Sequence, residues 1–267
     1  MHKHKDTWAD GASYEYYIGR WSKLVARQFI TWLNIALGAE WLDVGCGTGT
    51  LSQTILDIAS PKTVVGIDSS EGYIEFARKQ IQDPRVSFTL GDAQLLAVES
   101  ASYDAAVSGL VINFVPKPSH MLSEMVRAVH IGGTVAAYVW DYADLMQPIR
   151  YLWNAAVALD KTVVALDEGQ RFPLCRPEPL EQLFRTVVGL ENVEIRTIDI
   201  PTIFRDFDDY WSPFLGGQGP APSYAMSLSE ERRFALRERI KLTVPVASDG
   251  SIHLVARAWA IRGVRKN

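Results

Sequence analysis

The sequence predicts an α/β fold built on a doubly wound parallel sheet. Two observations carry this. From residue 22 to residue 140, short apolar runs rich in β-branched residues alternate with segments of helical periodicity. The first of those runs ends in a glycine-rich turn, Gly45-Cys46-Gly47-Thr48-Gly49, that leads into a helix. A strand–helix alternation of this kind builds a parallel sheet, and right-handed crossovers leave few topologies for it.

Each element follows from its own residues. Val25, Phe29, Trp32, Leu33 and Ala36 mark an amphipathic helix over 22–37, with Gly38 as its stop. Trp41–Val44 is a short apolar strand, and residues 50–59 read as a helix. Thr63–Ile67 is β-branched and ends at Asp68. Ile74, Phe76, Ala77 and Ile81 place a helix over 71–82, Val86–Leu90 alternates as a strand, and Asp104–Ser108 is another. Ser119–Val129 reads as a helix capped by Ser119, and Gly132-Gly133 as a turn into the strand Thr134–Trp140. Farther on, 147–159 and 179–188 read as helices and Val193–Ile200 as a strand. Residues 201–226, rich in proline and aromatics, read as an ordered loop or cap. Ser227 with Glu230 reads as a capping box for a helix to about Lys241, and Ile252–Ile261 as the last strand. No clean linker appears. The expectation is one domain over 1–267, with an N-terminal flap and helix (1–37) and a cap insertion (201–250) before the last strand.

Composition narrows the function classes. The chain has 267 residues, 48% hydrophobic and 22% charged, so bulk disorder is excluded and a large core can form without staples. A net charge of −4 argues against a dedicated nucleic-acid binder. Two cysteines, Cys46 and Cys175, form neither a disulfide framework nor a metal cluster, and they fit a reducing, cytoplasmic compartment. No apolar run approaches the ~18 residues of a membrane span. The start, Met1-His2-Lys3-His4-Lys5, has no apolar stretch behind it and does not read as a signal peptide. No metal site is expected. His2 and His4 read as a solvated terminus, and His120 and His253 as structural.

The chemistry centres on Leu42-Asp43-Val44-Gly45-Cys46-Gly47-Thr48-Gly49. Glycines let a strand turn sharply into a helix and let a ligand approach the main chain. The helix start behind them offers unpaired N–H groups and a positive dipole end. Asp68, closing the second strand, can accept both hydroxyls of a ribose. Gly91-Asp92-Ala93 puts a second carboxylate at the end of the third. A glycine loop alone also fits nicotinamide and flavin folds. Here, however, Thr50 stands where the dinucleotide pattern wants Gly or Ala, and that pattern has no use for Asp43 or Asp92. A nucleoside with a charged amino-acid tail uses both: Asp43 for the ammonium, Asp92 for the adenine amino group. Cys46 has no histidine partner near it in sequence and reads as a small buried side chain.

On these residues the segment resembles motif I of the class I S-adenosylmethionine-dependent methyltransferases. Tyr103-Asp104-Ala105-Ala106-Val107-Ser108 resembles their fourth strand. Arg127-Ala128-Val129-His130-Ile131-Gly132-Gly133 resembles the turn before the fifth, with Ile131 in place of proline. The nearest subgroup is the ubiquinone/menaquinone-biosynthesis type, which acts on small molecules. The resemblance implies a Rossmann-like, three-layer αβα fold on a seven-stranded sheet with an antiparallel last strand. It implies S-adenosyl-L-methionine as cofactor and S-adenosyl-L-homocysteine as product. Gly45, Cys46, Gly47 and Gly49 would line the methionine part, and Asp68 and Ser69 the ribose. Tyr73 would pack on adenine, with Gly91, Asp92 and Ala93 at its edge, and Ser108 and Gly109 would meet the ammonium. The N-terminal segment resembles that of glycine N-methyltransferase-like enzymes, which implies that Arg20 pairs with the cofactor carboxylate and that Tyr14 or Tyr17 closes over the site.

For the acceptor, the pocket candidates are Tyr17, Asn113, Phe114, Trp140 and Trp211. Asp141 and Tyr142 are candidates for a base or for orienting the acceptor. After the fourth strand, Ser108-Gly109-Leu110-Val111 lacks the pattern of amino-directed nucleobase methyltransferases, and no Pro-Cys pair for cytosine chemistry exists. The expected function is therefore methyl transfer by in-line displacement to a small, partly apolar molecule, with no nucleic-acid partner. The alternatives are a non-catalytic module that binds the same cofactor or its product, and an NAD(P)-dependent oxidoreductase.

Overall fold

The computed structural model describes residues 15–217 and 219–267, and the chain divides into two compact units. One comprises residues 22–140, 173–198 and 258–267, and the other the described residues 15–21, 141–172 and 199–257. Helix α1 (Arg20–Leu33) is followed by β1 (Glu40–Val44), α2 (Thr50–Ile58), β2 (Thr63–Asp68), α3 (Glu71–Gln80) and β3 (Val86–Leu90). Next come β4 (Tyr103–Gly109), α4 (Pro118–Ala128), β5 (Val129–Trp140), α5 (Gln147–Leu159), α6 (Glu168–Arg171) and α7 (Pro177–Thr186). The chain ends with β6 (Leu190–Phe204), α8 (Phe207–Trp211), α9 (Pro220–Ser227), α10 (Glu230–Lys241) and β7 (Ile252–Arg265).

The sheet has seven strands in the order β3-β2-β1-β4-β5-β7-β6. Strands β1 to β5 pair in parallel, and β7 runs antiparallel to β5. The expected fold class is therefore the observed one. The order reverses direction between β1 and β4, so the carboxyl ends of these two strands open a crevice. Register fixes which side chains share a face. Leu42, Val44, Ile67, Ala106, Ala137 and Val139 share one core with Met121, Leu122 and Met125 of α4 and Leu180 and Phe184 of α7. On the opposite face Phe29 of α1 packs on Tyr138 of β5, with ring centroids 4.8 Å apart. Helices on both faces make the three layers.

Local chemistry moves several boundaries. Gly132-Gly133 is not a turn ahead of β5 but a bulge within it: pairing with β4 jumps from Tyr103↔Val129 to Ala105↔Thr134, and Gly132 sits at φ 82. Residues 201–226 hold more regular structure than their composition suggests, because Pro213 and Pro220 occupy first-turn positions where the missing N–H costs nothing. The last helix is capped two residues later than expected. Ser229 Oγ accepts from the Arg232 amide, while Ser227 Oγ donates to the Tyr224 carbonyl.

In the other unit, Trp21, Phe204, Tyr210, Phe214 and Tyr17 form a chain of ring contacts 5.2–5.7 Å apart. The Tyr210 hydroxyl donates to the Pro148 carbonyl at 2.7 Å, and the space left among the rings is about 10 Å³, room for one water. Arg150 grips Asp167 through both Nη atoms, and Trp153 donates to the buried Glu168 carboxyl, whose pKa burial pushes up to about 8. No helix among the described residues is long and apolar enough to cross a membrane.

Arg127 fastens the helixless β3–β4 connection. It donates to the carbonyls of Leu96 and Val98 and to both oxygens of Glu124, whose Oε2 also accepts from the Leu96 amide. Arg127→Met should cost about 1–3 kcal/mol in urea unfolding, since it strips partners from part-buried carbonyls and a carboxylate. An unchanged midpoint would contradict that role.

Candidate cofactor site

The site grows from the carboxyl end of β1. After Val44 the chain turns back on itself, with the Gly45 and Cys46 amides both donating to the Ile67 carbonyl of β2 at 2.7 and 3.0 Å. Three glycines take left-handed φ values of 76, 52 and 87 at Gly45, Gly47 and Gly49. Their surroundings differ. A Cβ on Gly45 would strike Val111, and one on Gly49 would strike Ile81, each at 2.6 Å. A Cβ on Gly47 would meet nothing nearer than Tyr73 at 3.9 Å. Gly45 and Gly49 are thus glycines for packing, and Gly47 is the one that keeps a main-chain surface open to a ligand.

The Gly47 amide donates to Asp68 Oδ2 at 2.9 Å, and the Ser70 amide donates to Asp68 Oδ1 at 2.8 Å. Burial raises the Asp68 carboxyl, while the amides of Ser70, Gly47 and Ser69 oppose that rise. Each Asp68 oxygen takes one backbone donor and keeps capacity for another. Ser69 is exposed beside it, and Ser70 caps α3 through the Tyr73 amide. Asp43 lies behind the loop, fully buried. Ser52 Oγ of α2 donates to its Oδ2 at 2.7 Å, and its Oδ1 is buried without a partner among the described residues. Burial pushes the Asp43 carboxyl up to about 7, against the pull of the Ser52 bond. Cys46 is buried and its thiol is pushed up, first by desolvation and then by Asp43 and Asp68. That disfavours the thiolate a nucleophile needs.

The third strand ends beside the same crevice. Gly91 donates its amide to the Asp68 carbonyl, and the exposed Asp92 accepts from the Gln94 amide at 2.8 Å. Ala93 packs partly into the core. Asp104 caps the start of β1 by accepting from the Glu40 amide. At the end of β4, Ser108 is buried with no partner for its hydroxyl among the described residues, and a Cβ on Gly109 would fall 2.5 Å from the Tyr138 hydroxyl. The loop beyond carries Asn113, whose amide nitrogen and oxygen are both buried without a partner among the described residues, and Phe114, half-buried. Trp140, at the end of β5, is 1% exposed, and its indole N–H likewise has no partner among the described residues. The unit built on the sheet therefore brings together Asp43, the glycine loop, Asp68, Ser69, Tyr73, Gly91, Asp92, Ala93, Ser108, Gly109, Asn113, Phe114 and Trp140 on its strand ends.

The remaining candidates lie elsewhere. Tyr14 falls outside the described residues. Tyr17, Arg20, Trp211, Asp141 and Tyr142 belong to the other unit. There Arg20 Nη1 donates to Asp209 at 3.3 Å, its guanidinium stacks on Trp21 and Phe204, and its Nε and Nη2 are buried without partners among the described residues. Tyr17 and Trp211 both pack on Phe214. The Asp141 carboxylate accepts from the Asp144 and Leu145 amides, capping a turn, and Tyr142 packs its ring near Phe172. Three contributors escaped sequence reasoning. Ser52 sits nine residues past Asp43 in the following helix, Val111 is one of many valines, and Tyr138 is legible only once register sets it beside Gly109.

The chain is similar to known proteins. Residues 42–137 match the family described as a methyltransferase domain. The demethylmenaquinone methyltransferase of Symbiobacterium thermophilum is 32% identical over 122 residues, covering 43% of this chain and 47% of that protein. The trans-aconitate 2-methyltransferase of Sinorhizobium fredii is 29% identical over 221 residues, covering 79% and 81%. Phosphoethanolamine N-methyltransferase 2 of Haemonchus contortus, solved with S-adenosyl-L-methionine, superposes with a TM-score of 0.60 at 16% identity, covering 96% of this chain and 57% of that one. This chain spans about half the length of several of the curated relatives that it matches.

Two substitutions separate packing from access. Gly47→Ala should cost only the left-handed strain, about 1–2 kcal/mol, yet block ligand approach. Gly49→Ala should cost about 1–3 kcal/mol more through overpacking. Equal urea midpoints would contradict the distinction. Asp43 has its own pH signature. Its carboxyl ordinarily titrates near 3.8 and in the fold near 7, so the folded state holds the extra proton and stability falls as pH rises through that window. Asp43→Asn should remove a fall on the order of 4 kcal/mol between pH 4 and 8. Parallel stability–pH curves for parent and variant would contradict it.

Proposed function

We propose that this chain, whose residues 42–137 match the methyltransferase-domain family, transfers a methyl group from S-adenosyl-L-methionine to a small, partly apolar acceptor. The observation that carries this reading is the open main-chain surface at Gly47, tied by its amide to the Asp68 carboxylate. The residues present fit such a cofactor. Asp68 has acceptor capacity left for ribose hydroxyls, with Ser69 beside it. Asp92 and the Ala93 backbone suit the adenine edge, with Tyr73 against the ring. The orphaned Oδ1 of Asp43 suits an ammonium reached directly or through water.

When bound, the sulfonium supplies a methyl group already activated for displacement. The chain's own task is then to position and to exclude water. The glycine loop fixes the tail, and the Ser108–Gly109 strand end limits where the acceptor can sit. Asn113, Phe114 and Trp140 offer that acceptor an apolar wall with a few polar groups. A proton acceptor is needed only if the acceptor must be deprotonated before attack. The Asp141 carboxylate already holds two amides of its turn, and the reading routes no proton through it. The net charge of −4 favours a small acceptor over nucleic acid. The small molecules in the names of the menaquinone and aconitate relatives point the same way.

Asp68→Ala should weaken S-adenosylmethionine binding by about 1–3 kcal/mol, the worth of one buried charged hydrogen-bonding group. Calorimetric titration of the folded variant checks it. Affinity equal to the parent's would remove Asp68 from the site.

A further inference from the structure

Asn113 stands out among the polar groups of the sheet-bearing unit. Both ends of its amide are buried, and neither has a partner among the described residues. A primary amide can donate twice and accept twice, and native proteins rarely bury one with all of that capacity unused. Slack in the loop does not explain it. The Leu110 amide donates to the Tyr138 carbonyl, Val111 presses on Gly45 of the glycine loop, and the Phe114 amide closes a turn onto the Val111 carbonyl. Gln94 Oε1 accepts from the Lys117 amide just beyond. Leu110 is also held at φ 65, a left-handed backbone unusual for leucine and typical of segments fixed for function. The loop is pinned against the cofactor loop with the amide held ready.

We propose that Asn113 is a specificity-determining residue, and that the acceptor presents to it a planar carbonyl flanked by an N–H or O–H. This rests on the acceptor-site reading above and narrows its substrate class. Such an edge satisfies both ends of the amide at once. A carboxylate would face the Asn113 oxygen with another acceptor. An ammonium would leave the Asn113 NH₂ unfilled. A bare ketone would satisfy the NH₂ and leave the oxygen buried alone. Carboxamides and hydroxyl-flanked carbonyls meet the demand in one plane.

The test uses the full chain saturated with S-adenosylhomocysteine and two probes: benzamide, which carries the edge, and ethylbenzene, which matches its ring without it. Nitrogen–proton spectra follow the Asn113 side-chain amide during each titration, and Kd is read for the parent, Asn113→Leu and Asn113→Asp. The expected result is a shift of the Asn113 amide signals by benzamide and a loss of at least tenfold in benzamide affinity in both variants. Ethylbenzene and S-adenosylhomocysteine affinities should stay within twofold. Asn113→Leu should unfold no lower in temperature than the parent, because it removes an unmet polar group. Benzamide binding that leaves the Asn113 signals unmoved, or variants that weaken both probes equally, would overturn the assignment. So would no benzamide binding by a protein that binds S-adenosylhomocysteine, or variants that weaken the cofactor product instead. Failure of the parent to bind S-adenosylhomocysteine would overturn the underlying methyltransferase reading, and this inference with it.

Discussion

The bond from the Gly47 amide to the Asp68 carboxylate organises the site. It joins the turn after β1 to the end of β2, next to the point where the strand order reverses. One carboxylate oxygen holds the glycine loop and the other holds the Ser70 amide ahead of α3, so a single side chain sets two helix starts. The glycines on either side of Gly47 then allow tight packing against Val111 and Ile81. Gly47 itself stays uncovered, and a ligand can reach main-chain groups there without displacing a side chain.

A second constraint lies beneath. Asp43 is buried at the end of β1 with one oxygen held by Ser52 and the other unmatched. Keeping a carboxyl in that position costs stability as it ionises. It lies directly behind the glycine loop, under the proposed cofactor site. Ser108, Asn113 and Trp140 repeat the pattern at the neighbouring strand ends. These four lie at or just past the carboxyl ends of β1, β4 and β5, where an open α/β sheet binds ligands.

Much of this was legible in the sequence because it is local. Glycine spacing, Asp68 at a strand end and the apolar period of each helix are properties of a few consecutive residues. The antiparallel last strand came from the family resemblance. What escaped depended on partners distant in sequence. The pairing of Arg20 with Asp209 spans 189 residues, and the choice of Ser229 over Ser227 as helix cap depends on where α9 ends. Composition misled over 201–226, since proline can open a helix as readily as it can break one. That Gly47 is open while Gly45 and Gly49 are filled is likewise invisible in a sequence where the three look alike, because the neighbours that fill them come from other elements.

Calorimetric titration of the purified chain with S-adenosylmethionine, S-adenosylhomocysteine and NADH, run in parallel, decides whether the glycine loop holds a methyl donor. Micromolar binding of the first two and none of NADH is expected. Binding of NADH alone, or of none of the three by folded protein, would contradict the reading of the glycine loop and the function built on it.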